Sequence, residues 1–328
     1  MDKLTLGIVD QSPMRRGGTA AEALRESVAM AQAAERLGYA RYWVAEHHNA
    51  GTYTGTSPEV LIGQIAANTS TIRVGSGGVM LPHYSALEVA EQFRVLDAFY
   101  PGRIDLGIGR APGSDQRTAA ALVYPRMSGD PNKFPQMVMD LLSFLEGTPV
   151  EGNVFAGASA QPGPPPSRPP DVWLLGSTGE HGPAVAELYR QEFKPSKYLS
   201  APRLNVTVQS LCAPTEEEAL FLASSRNLNK VFSRMPDRTV DETGRRVQGL
   251  WPPEEASRYP LSAPAREYLE SLTPSYIDGS PSQVRDKIIE VAERYGTNDV
   301  NNVTPCYAYD ARVRSISLIA EAFGIGKR

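Results

Sequence analysis

A parallel α/β fold of the (β/α)8 TIM-barrel type is predicted by three features of this sequence. The first is the stretch 72–113, IRVGSGGVMLPHYSALEVAEQFRVLDAFYPGRIDLGIGRAPG, which reads strand, helix, strand with a glycine-loaded segment after each strand. Such βαβ units have right-handed crossovers and parallel strands. The second is the recurrence of this alternation along the chain. The third is length: 328 residues suit one barrel, a fold that commonly runs to about 250 residues or more as a single domain. Residues 1–328 are therefore read as one barrel domain.

Taken in order, 4–9 is a first strand, and Thr19-Ala20-Ala21-Glu22 is a capping box for a helix whose Leu24, Val28 and Ala31 share a face before Gly38. A second strand, 42–45, runs into Glu46-His47-His48-Asn49, and Ser57-Pro58 opens a helix carrying Leu61 and Ile65. The third strand starts at Ile72 and stops at Gly75-Ser76-Gly77-Gly78, where missing Cβ atoms allow a close approach to the backbone. Ser85 caps the next helix, with Val89, Phe93, Leu96 and Tyr100 at helical spacing, and the fourth strand, 103–108, ends at Gly109-Arg110. A helix over about 134–146 and the stiff connector QPGPPPSRPP lead to a fifth strand, 172–175, ending in Gly176-Ser177-Thr178-Gly179.

Beyond this point the pattern breaks. A helix follows at 183–193, a strand at 204–212, and a helix capped by Thr215 and Glu218. Residues from about 226 to 264 have weak periodicity and read as an insertion or lid beside the barrel mouth. Ser280 caps another helix, 300–304 is a last strand, and Val313, Ile316 and Ala320 lie on a closing helix. The count is seven strands, near residues 4, 42, 72, 103, 172, 204 and 300, where closure requires eight. The missing one is strand six. Roughly twenty residues, a short strand with its turn and part of a helix, are expected to be absent around Glu180.

Composition excludes several function classes. The chain is 41% hydrophobic and 21% charged, with no apolar run long enough to span a membrane. Its start lacks a signal-peptide pattern, so it is read as cytoplasmic. A net charge of -4 without a Lys/Arg cluster argues against nucleic acid or an anionic membrane as partner. Cys212 and Cys306 form no metal or redox motif, and the four histidines lack metal-ligand spacing, so no metal site is expected.

Ligands of parallel α/β folds bind beyond the carboxyl ends of the strands, where Glu46-His47-His48, both glycine segments and Arg110 fall. Adjacent strand residues point to opposite faces, so one histidine of the pair looks into the mouth, where a neutral imidazole serves as acid or base near pH 7. Gly107-Ile108-Gly109 continues to Gly113 as GxGxxxG, one residue longer than the dinucleotide fingerprint and after the wrong strand. Arg110 suits bidentate phosphate binding, and the hydroxyls and N–H groups of Gly176-Ser177-Thr178-Gly179 suit an anion at a helix start.

Taken together, VAEHHN (44–49), VGSGGVMLPHYS (74–85), VAEQFRVLDAFYPGRIDLGIGRAPG (89–113) and WLLGSTG (173–179) resemble the bacterial luciferase-like flavin monooxygenases. The resemblance implies a TIM barrel that binds FMN as FMNH2, supplied by a separate NAD(P)H:flavin reductase, and reacts with O2 through a flavin hydroperoxide to oxidise an organic substrate. It carries the catalytic role to His47, with Glu46 beside it. The segment under the flavin ring, often holding a non-proline cis peptide, carries over to Ser76, Gly77 and Gly78, and phosphate binding to Gly109, Arg110, Gly176 and Ser177. Gly109 stands where luciferase itself has a reactive cysteine. A homodimer through helices 57–70 and 86–100 is also implied, as is a polyketide or other secondary metabolite as substrate, in keeping with antibiotic biosynthesis. The same superfamily holds two alternatives: a deazaflavin-dependent hydride-transfer oxidoreductase and a non-catalytic flavin-binding partner subunit. Phe232, Trp251 and Tyr259 in the lid either face an apolar substrate or form a small satellite core.

Overall fold

The computed structural model describes residues 4–125, 131–148, 155, 157–176, 181–234 and 248–326. Eight strands, β1 (Thr5–Asp10), β2 (Arg41–Val44), β3 (Arg73–Met80), β4 (Ile104–Gly109), β5 (Asp171–Leu174), β6 (Val206–Cys212), β7 (Tyr276–Gly279) and β8 (Asp299–Val303), form one sheet in the order β5-β4-β3-β2-β1-β8-β6-β7. Its pairings are parallel. Between and after the strands come α1 (Ala20–Arg36), α2 (Pro58–Ala67), α3 (Ala86–Phe99), α4 (Gln116–Val123), α5 (Phe134–Glu146), α6 (Gly182–Glu192), α7 (Glu216–Arg234), α8 (Pro253–Ala256), α9 (Ala263–Leu272), α10 (Pro281–Tyr295) and α11 (Tyr309–Phe323). The architecture is a (β/α)8 barrel.

The strand count of seven is corrected to eight by β7, whose four residues are too few to display a period in sequence. The expected gap itself falls at 177–180, which lies outside the described residues. β6 pairs with β8 and so takes the seventh place in the ring, and β7, on its far side, stands in the sixth. Among the described residues no strand pairs with the outer edge of β5, which faces the far edge of β7 in the ring order, and Leu174 and Leu175 there are exposed.

Local signals explain the elements. Thr19 and Glu22 form the predicted reciprocal capping box, Ser85 and Thr215 accept from the backbone N–H three residues on, and Gly296 closes α10 at φ +59, a conformation that favours glycine. The apolar stripes of α2 and α3 (Ile62, Ile65, Val89, Phe93) pack with Leu106 and Ile108 into a core between sheet and helices. Each such buried side chain contributes about 1.5–3 kcal/mol. A separate cluster, Val9, Trp43, Ala45 and Val303 with Trp173, fills the barrel lumen, where the two indoles meet edge to face at 5.3 Å.

Two buried ion pairs lie within the barrel. Arg41 bonds Asp299 in the lumen, and Arg312 of α11 donates to Asp10 at 2.6 Å while Tyr42 donates to the other Asp10 oxygen at 2.7 Å. The expected lid begins later than predicted: α7 stays helical through Arg234 because Leu228 and Val231 continue its buried stripe. Of the remainder, 248–264 is described, and Trp251, Tyr259 and Phe232 stack on one another at 5.1–5.9 Å, with Arg16 over Trp251 at 4.0 Å. These aromatics form a satellite core.

Candidate active site

The end of β2 is fixed to three neighbouring segments. Ala45 N–H donates to Asp10 O, His47 N–H to Gly55 O, and His48 N–H to Gly113 O, at 2.9–3.1 Å. This backbone lattice sends the two imidazoles apart. His48 donates through Nε2 to Glu46 at 2.7 Å and faces the His83 ring 6.0 Å away. His47 lies 5.1 Å from the Tyr53 ring, and its Nδ1 is buried without a hydrogen-bond partner. Burial, and then the nearby Lys230 and His48, hold its pKa down to about 4. His47 is thus a neutral imidazole at physiological pH, with one ring nitrogen unengaged.

Glu46 stands beside His47 in sequence but does not bond it. Its carboxylate is fully buried and saturated: Oε2 accepts from Met80 N–H at 2.8 Å, and Oε1 from Tyr84 O–H at 3.0 Å and from His48. It clamps the end of β2 to the end of β3.

The glycine segment of β3 is bulged between Ser76 and Val79, and the Gly77–Gly78 peptide is cis. Ser76 is buried and donates its hydroxyl to Gly107 O at 2.8 Å, a bond between strands. A Cβ on Gly77 would press on Trp43 at 3.2 Å, and one on Gly78 would lie 2.7 Å from Gly107 O. What approaches this backbone is therefore β4 and the lumen tryptophan, and the glycines are required by the barrel itself.

Gly109 is buried, with Met80 2.8 Å from where its Cβ would be, whereas the next residue, Arg110, is exposed and its side chain has no partner among the described residues. Gly176 is also exposed and meets nothing within 4 Å of an added Cβ. Ser177 lies outside the described residues. Among the described residues no group of three or more His, Cys, Asp or Glu side chains is arranged to hold a metal ion.

Sequence reasoning did not find the wall opposite β2. α7 lies against the loop after β2, where Asn229 accepts from Thr52 Oγ1 at 2.7 Å and donates to Tyr53 O–H at 3.3 Å. The next residue, Lys230, is close enough to His47 to disfavour its protonation. An isolated lysine in an otherwise ordinary helix carries no motif.

The barrel thus gathers at one end His47 after β2, the glycine bulge of β3 and Arg110 after β4. The profile of the luciferase-like monooxygenase family matches residues 4–189, and the chain belongs to that family. Among its relatives are the uncharacterized protein YwcH of Bacillus subtilis (strain 168), 39% identical over 98% of this chain and 99% of the relative, and the N-acetyl-S-alkylcysteine monooxygenase of the same organism, 33% identical over 99% and 100%. The solved structure of apo-MsnO8 superposes with TM-score 0.85 at 33% identity, covering 98% of this chain and 99% of that one. Two others share the fold alone: the oxygenating constituent of 3,6-diketocamphane monooxygenase from Pseudomonas putida in complex with FMN (TM-score 0.68, 19% identity, covering 97% of each chain) and an F420-dependent secondary alcohol dehydrogenase (0.65, 14%, covering 98% and 99%). The alignment with YwcH runs over 342 positions, more than the 328 residues of this chain, so the relative has residues that this chain lacks.

Proposed function

We propose that this protein is an FMNH2- and O2-dependent monooxygenase acting on an organic substrate, with reduced flavin delivered by a separate NAD(P)H:flavin reductase. The observation that carries this reading is His47: a half-buried neutral imidazole at the carboxyl end of β2 whose buried Nδ1 has no hydrogen-bond partner. Such a group moves a proton without first shedding one of its own. Arg110 and Gly176 fit the phosphate arm of FMN, the arginine because its guanidinium has no partner and the glycine because its backbone is open. Ser177 adds a hydroxyl on sequence grounds. Bound reduced flavin supplies the electrons that activate dioxygen.

The chain's own residues do the rest. Glu46 positions His48 and the β2–β3 junction; Ser76, Gly77, Gly78 and Gly109 shape the floor between β3 and β4; His47 holds or passes a proton at Nδ1. The substrate is an organic molecule of the secondary-metabolite or polyketide kind, and the relative that acts on N-acetyl-S-alkylcysteines makes such a thioether the first compound to try. The active form is a homodimer through α2 and α3, which expose Val60, Val95 and Phe99. None of the described helices is long and apolar enough to cross a membrane, and we place the protein in the cytoplasm.

Anaerobic titration with reduced FMN, followed by 18O2 and N-acetyl-S-benzylcysteine, tests the reading. Saturable binding and one 18O atom in the product are expected. Tight F420 binding with turnover that needs no oxygen indicates the deazaflavin chemistry instead, and absence of turnover with either cofactor indicates the non-catalytic alternative.

A further inference from the structure

The mouth of the barrel holds a cation that no group among the described residues neutralises. Lys230 is half-buried on α7, and among the described residues neither a hydrogen bond nor an ion pair engages its ammonium. Its neighbours of like charge are accounted for differently: Arg226 is locked on Asp278 by two bonds of 2.6–2.9 Å and stacks over Tyr276 at 3.9 Å, while Arg234 ends the helix exposed. The backbone around Lys230 is held in place, because Asn229 ties α7 to Thr52 and Tyr53. Tyr53 in turn faces His47, whose Nδ1 is also a buried polar atom without a hydrogen-bond partner.

A long flexible amine left without a counter-ion in a partly buried position is costly, since a buried charge is normally paired. Here burial, Arg226 and Arg234 all depress the Lys230 pKa, and no carboxylate among the described residues offsets them. An anion arriving between His47 and α7 would relieve that. The phosphate grip at Arg110 and Gly176 follows β4 and β5, whereas α7 follows β6, so this cation belongs to another part of the ring.

We propose that the substrate presents a carboxylate to the space between His47 and α7, and that Lys230 is the residue that binds it and selects acids over their neutral analogues. The inference rests on the reading of His47 as the reaction centre. It makes the substrate an organic acid whose oxidised atom lies on the His47 side of its carboxylate.

Binding tests this without turnover. Calorimetric titration of the whole protein with N-acetyl-S-benzylcysteine, hexanoate and benzoate is compared with titration by the corresponding methyl esters, for the wild type, Lys230→Gln and Lys230→Arg. At least one acid is expected to bind the wild type about tenfold or more tightly than its ester, from a charge-assisted hydrogen bond in a partly dry site. That ratio is expected to fall to about one in Lys230→Gln and to persist in Lys230→Arg. Equal binding of acid and ester by the wild type, a ratio unchanged in Lys230→Gln, or no binding of any acid overturns the proposal. Failure of the catalytic reading has a different sign: His47→Gln would turn over normally while the acid-to-ester ratio kept its dependence on Lys230.

Discussion

His48 donates to Glu46 across 2.7 Å, and this leaves the adjacent His47 with no hydrogen-bond partner at its buried Nδ1. The proposed chemistry therefore falls to His47 and the structural bond to His48. His47→Gln is expected to lower kcat by about 10²–10⁴, the usual range for a lost general acid or base, while leaving reduced-FMN binding intact. His48→Gln retains a donor toward Glu46 and is expected to cost far less in kcat. Single-turnover rates under reduced FMN and oxygen separate the two. Equal losses in both variants would mean that neither histidine touches the reacting atoms.

The His47 environment also predicts a pH dependence of stability. Its folded pKa, about 4, lies below that of an unfolded histidine, about 6.5. Between these values the unfolded chain binds the extra proton, so stability falls as pH drops from 6.5 toward 4 and does not respond to this group above 6.5. The whole effect is on the order of 3 kcal/mol. Measured by urea unfolding at pH 7 and pH 5, the wild type is expected to lose more stability than His47→Gln, which has no imidazole to protonate there. A similar loss in both proteins would place the acid sensitivity elsewhere.

Much of the barrel was legible because local chemistry and global fold agree. The Thr19–Glu22 box, the Ser280 cap and the alternating strands each leave a local trace, and each stands where the sequence puts it. What was not legible depends on distant partners. Gly78 looks in sequence like a place for a ligand, yet its missing Cβ is demanded by Gly107 across the sheet. Glu46 looks like the companion of His47, yet a direction set by three backbone bonds hands it to His48. β7 is four residues long, and Lys230 matters only because α7 folds back onto the loop after β2. The unpaired outer edge of β5 was readable only as a missing beat in the βα rhythm.

Asp10 and Arg312 make a second pair with a measurable consequence. Both are almost fully buried, and the carboxylate also accepts from Tyr42 O–H and Ser12 N–H, so β1, β2 and α11 meet on one charge. Removing one partner strands a buried ion, which costs about 3–5 kcal/mol. Arg312→Met is accordingly expected to lower the urea midpoint sharply. Adding Asp10→Asn, which keeps an acceptor for Tyr42 but removes the orphaned charge, is expected to recover a substantial part. If the double variant is as unstable as the sum of the singles, the two residues act independently and the pair is not what holds α11 in place.

Arg110 offers the sharpest test of the cofactor arm, because FMN and riboflavin differ only by the phosphate. Arg110 is exposed and unpaired just beyond β4, so its removal takes no internal contact away and folding is expected to be unchanged. A guanidinium bonding a phosphate in a partly solvated site is worth about tenfold in affinity, less as salt screens it beyond roughly 10 Å at 0.1 M. Arg110→Ala is therefore expected to weaken reduced-FMN binding about tenfold and to leave reduced riboflavin unaffected. The difference should shrink as ionic strength rises, since the lost contact is electrostatic. Equal weakening for both flavins would move Arg110 from the phosphate to the ring, and no weakening for either would remove it from the site.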